Sequence, residues 1–255
     1  MIVTLLTDFG VADGYVAEMK GALLRRAPGA TLVDVTHEIP PGDVAAGAYV
    51  LGRTWRAFPE GTLHLGVVDP GVGTARRALA AEAGGHRFVA PDNGILSRVL
   101  EAHPARVVSL EVGAAACPTF HGRDVFAPAA ARLLAGEPLA ALGPAIGDPV
   151  LLPPARLERR GPDLVGEVVH VDRFGTLVTN LPGAAVGAPV RIGSRDVELR
   201  ATFADVAPGA LVAFVGSGGT VEVAVRNGRA DEVLGAGRGV EVRATACGGE
   251  RDRSR

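Results

Sequence analysis

The stretch Leu65-Gly66-Val67-Val68-Asp69-Pro70-Gly71-Val72 decides how the chain is read. Val67 and Val68 close an apolar run with the character of a buried strand, and Asp69 stands where that run stops, ahead of a Pro-Gly turn. In an open α/β sheet, reactive groups collect beyond the carboxyl ends of the strands. Asp69 is therefore placed as a working residue; its plainer alternative is a turn-forming aspartate before proline. The pattern recurs at Ile2–Thr7 followed by Asp8-Phe9-Gly10, and at Phe88–Pro91 followed by Asp92-Asn93-Gly94. Apolar runs that each deliver a carboxylate into a Gly- or Pro-marked turn point to a shared site.

Working outward, residues 1–150 alternate between strand-like runs and helical patterns. Strands are expected at Ile2–Thr7, Thr31–Val35, Thr62–Val68, Leu79–Ala83 and Arg87–Ala90, and helices at Tyr15–Ala27, Asp43–Phe58, Ile95–Glu101 and Asp124–Ala135. Asp13-Gly14 is the expected start of the first helix and Asp124 the expected cap of the last. Repeated βα alternation implies a layered α/β domain with a mostly parallel sheet. Residues 151–163 fall in a proline-rich stretch with little periodicity, which reads as a linker. Residues 164–247 hold only short β-like runs (Leu164–Val171, Leu177–Thr179, Pro189–Ile192, Val197–Leu199, Leu211–Val215, Thr220–Val225 and Val240–Ala244), the pattern of a small antiparallel barrel or sandwich. The polar tail 248–255 is expected to be disordered.

Composition narrows the function. The 255 residues are 47% hydrophobic, enough for a sizeable core, and the net charge of −2 argues against a nucleic-acid partner. Two distant cysteines, Cys117 and Cys247, give neither a disulfide framework nor metal-ligand spacing, so no metal is expected. The start MIVTLLTDFG has no basic leader, and no apolar run approaches the roughly 18 residues of a membrane span. A soluble cytoplasmic protein with no membrane partner is the expectation. No HExxH, GxSxG or CxxC motif occurs, and Gly71-Val72-Gly73-Thr74 lacks the lysine of a phosphate loop.

Several residues carry chemistry. A carboxylate at Asp8 can accept two hydrogen bonds from a ribose diol, or it can cap the turn into the first helix. His121, in Thr119-Phe120-His121-Gly122-Arg123-Asp124, can orient or deprotonate a water, or it can be an ordinary surface histidine. Arg76 or Arg77 can return across the Gly-rich turn to hold Asp69 ionised; otherwise both are solvated. Asp172 can bind an ammonium group and Phe174 can stack on a flat ring, or Asp172–Gly175 can be a hairpin turn.

Taken together, TDFG with DGYVAEMKG, VVDPGVGTARR, APDNGIL, FHGRDVFAPAAA, VDRFGTLVTN and SGGTVEVAVRNGRA resemble the S-adenosylmethionine hydrolases. These are also called SAM hydroxide adenosyltransferases, and the fluorinase and chlorinase enzymes are related to them. The resemblance runs through nearly the whole chain in order. It implies an N-terminal α/β domain, a C-terminal β-barrel-like domain, and a homotrimer whose sites lie between subunits. It implies cleavage of S-adenosyl-L-methionine by water to adenosine and L-methionine, with no cofactor beyond that substrate. The Asp-Arg-His set that prepares hydroxide maps onto Asp69, Arg76 and His121, and the ribose carboxylate onto Asp8. The amino-acid end of the substrate maps onto Asp172 and Ser217, with Phe174, Glu222 and Val225 toward the adenine.

Two positions depart from the family pattern. Thr176 replaces the usual asparagine, and Gly219-Thr220-Val221-Glu222 replaces Gly-Tyr-Leu-Glu; both bear on affinity more than on reaction type. The fluorinase has Tyr-Ser where this chain has His121-Gly122, which favours water over halide as nucleophile. Two other readings stay open: a halide-dependent 5′-halo-nucleoside synthase, and an adenosine- or SAM-binding module without turnover.

Overall fold

Ile2–Thr7 forms strand β1, and its alternation sets the layering of the first half of the chain. Val3 and Leu5 enter one core while Leu6 enters another, as the two-residue period of a strand requires. The remaining elements are α1 (Tyr15–Leu24), β2 (Thr31–Thr36), α2 (Val44–Thr54), β3 (Leu63–Val67), β4 (Ala78–Ala83), β5 (His86–Pro91), α3 (Ser97–Ala102), β6 (Ala105–Leu110) and α4 (Ala127–Leu134). This is a computed structural model describing residues 1–247, so the tail 248–255 lies outside the described residues. The chain divides into two units, Met1–Leu152 and Pro153–Arg255.

In the first unit six strands are ordered β2-β1-β3-β5-β4-β6. The β1–β2, β1–β3 and β3–β5 pairs are parallel; β4 pairs antiparallel with β5 and β6. Met19 and Leu23 of α1 and Ala130 and Leu133 of α4 cover one face, and Leu51 of α2 and Val99 of α3 cover the other. Burial on both faces explains why the strands read as continuous apolar runs. Strand β6 had no counterpart in the sequence reading: its first two residues are exposed, so its apolar signal is short. Beyond β6 the chain returns along this edge, where Ser109 N–H donates to Pro144 O at 2.9 Å and Ile146 N–H to Val107 O at 3.0 Å.

Helix starts depart from expectation twice. Asp13 does not cap α1, whose N-cap is Gly14 with no side-chain bond, whereas Asp43 caps α2 by accepting Ala46 N–H at 3.0 Å. The helix expected from Asp124 opens instead as a wide π turn, Gly122–Phe126. Pro128 has no N–H to give to the carbonyl four residues back, so a regular first turn is not available.

The second unit contains β7 (Glu158–Arg160), β8 (Asp163–Val171), β9 (Leu177–Pro182), β10 (Val186–Ile192), β11 (Arg195–Val197), β12 (Leu211–Val215), β13 (Thr220–Val225), α5 (Ala230–Leu234) and β14 (Glu241–Ala246). The order is β11-β10-β14-β8-β9-β13-β12, every named pair is antiparallel, and β7 adds to β8. A bridge from Leu199 to Ala213 of β12 nearly closes the sheet into a barrel around Val168, Leu177, Val190, Val223 and Val242. Strand β7 lies in the segment read as linker; its residues are all exposed, so no apolar alternation announced it.

His64 is a buried polar residue in β3. Its Nδ1 lies 2.7 Å from Thr4 Oγ1 and its Nε2 lies 3.1 Å from His86 Nδ1, so both ring nitrogens are satisfied. Burial, then the neighbouring His86, lowers its pKa from 6.5 to about 3. Between those values the unfolded chain binds a proton that the folded chain does not, so stability falls as pH drops through that window. The expected cost is about 3 kcal/mol at pH 4.5. Urea unfolding at pH 7 and pH 4.5 should show a smaller loss in His64→Gln than in the parent; equal losses would refute the assignment.

Candidate active site

Asp69 lies two residues beyond the end of β3, and the following turn brings Arg76 back onto it. Arg76 Nε donates to Asp69 Oδ1 at 2.9 Å, and its terminal nitrogen donates to Asp69 Oδ2, so the pair is bidentate. The same terminal nitrogen lies 2.8 Å from His121 Nδ1. The side chains of Asp69 and Arg76 are 5% and 9% exposed, and His121 is 6% exposed. The guanidinium also sits 5.2 Å over the Phe126 ring, which supports it from the π turn.

Close backbone approach makes this geometry possible. Gly73 has φ +77°, and a Cβ there would stand 2.7 Å from Pro118 O. The Asp69–Arg76 turn therefore rests directly on the loop that leads into His121.

A guanidinium only donates, so His121 Nδ1 is the acceptor and the neutral ring carries its proton on Nε2. Burial lowers the His121 pKa, Arg76 lowers it further, and Asp69 and Asp124 oppose the shift. The site thus joins a carboxylate, a guanidinium and a neutral imidazole, with an N–H still on the far side of the ring. Such a set can hold a water-derived oxygen while charge develops on it.

Asp8 follows β1, and its Oδ2 accepts Gly42 N–H at 2.8 Å. Gly42 approaches Pro70, beside Asp69, and Phe9 lies against Gly122, beside His121. The ends of β1 and β3 and the π turn are therefore assembled together.

Asp92 is used differently from Asp8 and Asp69. It accepts Arg77 Nε at 2.6 Å and Val150 N–H at 2.7 Å, and its side chain is 2% exposed. It is a buried structural anchor, and Arg77, which also donates to Asp148 at 2.8 Å, is not the solvated alternative. Asn93 Nδ2 donates to Val68 O at 2.8 Å and so steadies the strand end that carries Asp69. The signal for these roles was the Asp-Asn pair itself, a carboxylate and an amide at one strand end. Asp124 accepts Cys117 N–H at 3.0 Å and pairs with Arg123.

In the second unit, Asp172 Oδ1 accepts Phe174 N–H at 2.9 Å and Thr176 N–H at 2.8 Å. The hairpin-turn reading of Asp172–Gly175 therefore describes this segment, with Phe174 75% exposed at its tip and Thr176 buried. Arg229 and Asp231 latch the turn from outside: Arg229 donates to Arg173 O at 2.9 Å, and Asp231 N–H donates to Gly175 O at 3.1 Å. Sequence reasoning gave neither a role: Arg229 lies near the end of the SGGTVEVAVRNGRA stretch and Asp231 just beyond it, far along the chain from the turn they hold. Glu222 and Val225 lie on β13, Glu222 paired across the ladder with Phe214 and Val178, and Ser217 lies in the exposed turn between β12 and β13. Among the described residues no His, Cys, Asp or Glu group could hold a metal ion, and no helix is long and apolar enough to cross a membrane.

Residues 3–143 match the SAM hydroxide adenosyltransferase N-terminal domain, and residues 166–243 match its C-terminal domain. The chain belongs to the SAM hydroxide adenosyltransferase family. An (R)-S-adenosyl-L-methionine hydrolase of Thermus thermophilus is 48% identical, covering 94% of this chain and 98% of that protein. A fluorinase of Nocardia brasiliensis is 32% identical over 88% of this chain and 89% of its own length. The crystal structure of an uncharacterized conserved protein from Thermotoga maritima is similar at a TM-score of 0.87 and 35% identity, covering 97% of this chain and all of that one. The family match spans both units, so Asp69, Arg76 and His121 fall in its N-terminal domain and Asp172 through Val225 in its C-terminal domain.

The Gly73 contact gives this SAM hydroxide adenosyltransferase family member a sharp steric requirement. Gly73→Ala adds a methyl against a carbonyl at a left-handed backbone position. It is expected to lower unfolding free energy by about 2 kcal/mol, read from urea midpoints. A midpoint equal to the parent's would show that the turn does not need this approach.

Proposed function

We propose that this chain hydrolyses (R)-S-adenosyl-L-methionine, by attack of water at the ribose C5′, to adenosine and L-methionine. The observation that carries the proposal is Arg76 shared between Asp69 and His121. The curated relatives' hydrolase name supports it. In the proposed reaction the O–C5′ bond forms as the C5′–S bond breaks. The electron pair goes to sulfur, which leaves as a neutral thioether and needs no acid. Water is the weak partner. Asp69 takes its proton, Arg76 keeps that carboxylate in place, and the His121 Nε2–H holds the oxygen as it gains charge. Such acid–base help is worth on the order of 10²–10⁴-fold. Hydroxide and sulfonium cancel their charges in the transition state, so a dry pocket favours reaction.

In the same proposal Asp8 binds the ribose diol, Asp172 and Ser217 take the amino-acid end, Phe174, Glu222 and Val225 line the adenine side, and Thr176 stands at a further substrate-binding position. The protein acts in the cytoplasm as a homotrimer with its sites between subunits and requires no cofactor.

Incubation with S-adenosyl-L-methionine in ¹⁸O-water, with and without chloride, tests the reaction by mass spectrometry of the nucleoside. Adenosine labelled at the 5′ oxygen is expected. A chlorinated nucleoside would move the chain to the halogenase chemistry of its more distant relatives, and tight adenosine binding without turnover would make it a binding module.

Asp69→Asn and His121→Ala are expected to lose about 100-fold or more in kcat while retaining substrate binding by calorimetry. Unchanged kcat in both would remove the water-activation roles. Because burial and Arg76 depress the His121 pKa, its ring is neutral at pH 7. The acid limb of the kcat profile belonging to His121 is expected below pH 6.5 and should vanish in His121→Ala.

A further inference from the structure

Thr7, His37 and Asp34 stand in a line with the chemistry of a hydrolase relay, but turned inward. Thr7 Oγ1 is 2.8 Å from His37 Nδ1, and His37 Nε2 is 3.1 Å from Asp34 Oδ1. Asp34 Oδ2 in turn accepts from Lys20 Nζ at 2.7 Å near the surface. Thr7 is 0% exposed and His37 5%, so no substrate reaches the hydroxyl and it cannot serve as a nucleophile.

The line acts on what lies beside it. Thr7 Oγ1 accepts Phe9 N–H at 3.2 Å, Gly10 N–H donates to His37 O at 2.8 Å, and Ile39 N–H donates to Thr7 O at 3.4 Å. The last two of these bonds tie the residues flanking Asp8 to the segment 37–39. Gly42, a little further on, donates to Asp8 Oδ2 itself. His37 Nε2 has no hydrogen-bond partner even with Asp34 Oδ1 3.1 Å away, so the bond that fixes the ring is the one between Nδ1 and the Thr7 hydroxyl. The Thr7 oxygen also accepts Phe9 N–H. Thr7 thus bridges the His37 ring and Phe9 N–H, and the backbone carrying Asp8 is held beside it.

We infer that His37, acting through Thr7, is a positioning residue that aims the Asp8 carboxylate at the substrate's ribose diol and thereby sets the preference for ribose over deoxyribose nucleosides. This rests on the ribose role proposed above for Asp8. A site built to hydrogen-bond a hydroxyl rejects the analogue that lacks it, but only while the acceptor is held in place.

The test is the ratio of kcat/KM for S-adenosyl-L-methionine to that for its 2′-deoxyribose analogue. His37→Leu and Thr7→Val are expected to lower this ratio about tenfold, with the loss falling on KM rather than kcat, and Thr7→Ser to restore it. Asp34→Asn, at a half-exposed position that does not threaten folding, is expected to lower it about threefold. Asp8→Ala serves as the reference. If Asp8→Ala lowers the ratio and none of the His37, Thr7 and Asp34 variants does, the inference is wrong and the ribose role stands. An unchanged ratio in Asp8→Ala would overturn the ribose role and the inference with it.

Discussion

A buried guanidinium shared between a carboxylate and an imidazole is an all-or-none arrangement. Arg76 satisfies both oxygens of Asp69 and one nitrogen of His121, and all three are nearly sealed from water. Removing any one leaves the others with an unpaired polar group in a poorly solvated place, a loss of several kcal/mol when the group is charged. Much of the surrounding backbone serves this arrangement. The turn from Asp69 to Arg76 closes because Gly73 can press onto Pro118, and the π turn sets Phe126 beneath the cation. Asn93 holds the carbonyl just before Asp69.

The adjacent arginines divide the labour. Arg76 turns to the site, while Arg77 engages Asp92 and Asp148 and ties the strand ends to the last segment of the first unit. Three strand ends thus carry carboxylates of different use. Asp69 is committed to a cation, Asp92 is locked in structure, and Asp8 gives one oxygen to Gly42.

Much of this is legible in the sequence. Apolar runs followed by carboxylates placed β1, β3 and β5, and the motif set located Asp69, Arg76 and His121. What escaped notice had physical reasons. Asp92 carries the same local signature as Asp69 and is buried alike, and only their partners separate a structural anchor from a site group: Asp69 shares Arg76 with His121, while Asp92 takes Arg77 and the Val150 N–H. Strand β7 is held by ladder bonds and an Arg160–Glu241 ion pair, without an apolar face. The π turn depends on a missing N–H at Pro128, which reads in sequence as an ordinary helix start. The latch of Arg229 and Asp231 on the 172–176 hairpin joins residues more than fifty positions apart, beyond the reach of any local pattern.

The return of the chain along β6 bears on how the protein behaves in a crowded solution. An outermost strand exposes a row of donors and acceptors that another chain can extend. Here the segment around Pro144 and Ile146 occupies part of that row on β6. Pro144 offers a carbonyl inward and, having no N–H, nothing to a newcomer. The short segment ahead of the linker therefore works as a selvedge, finishing the sheet so that a second molecule finds little there to continue.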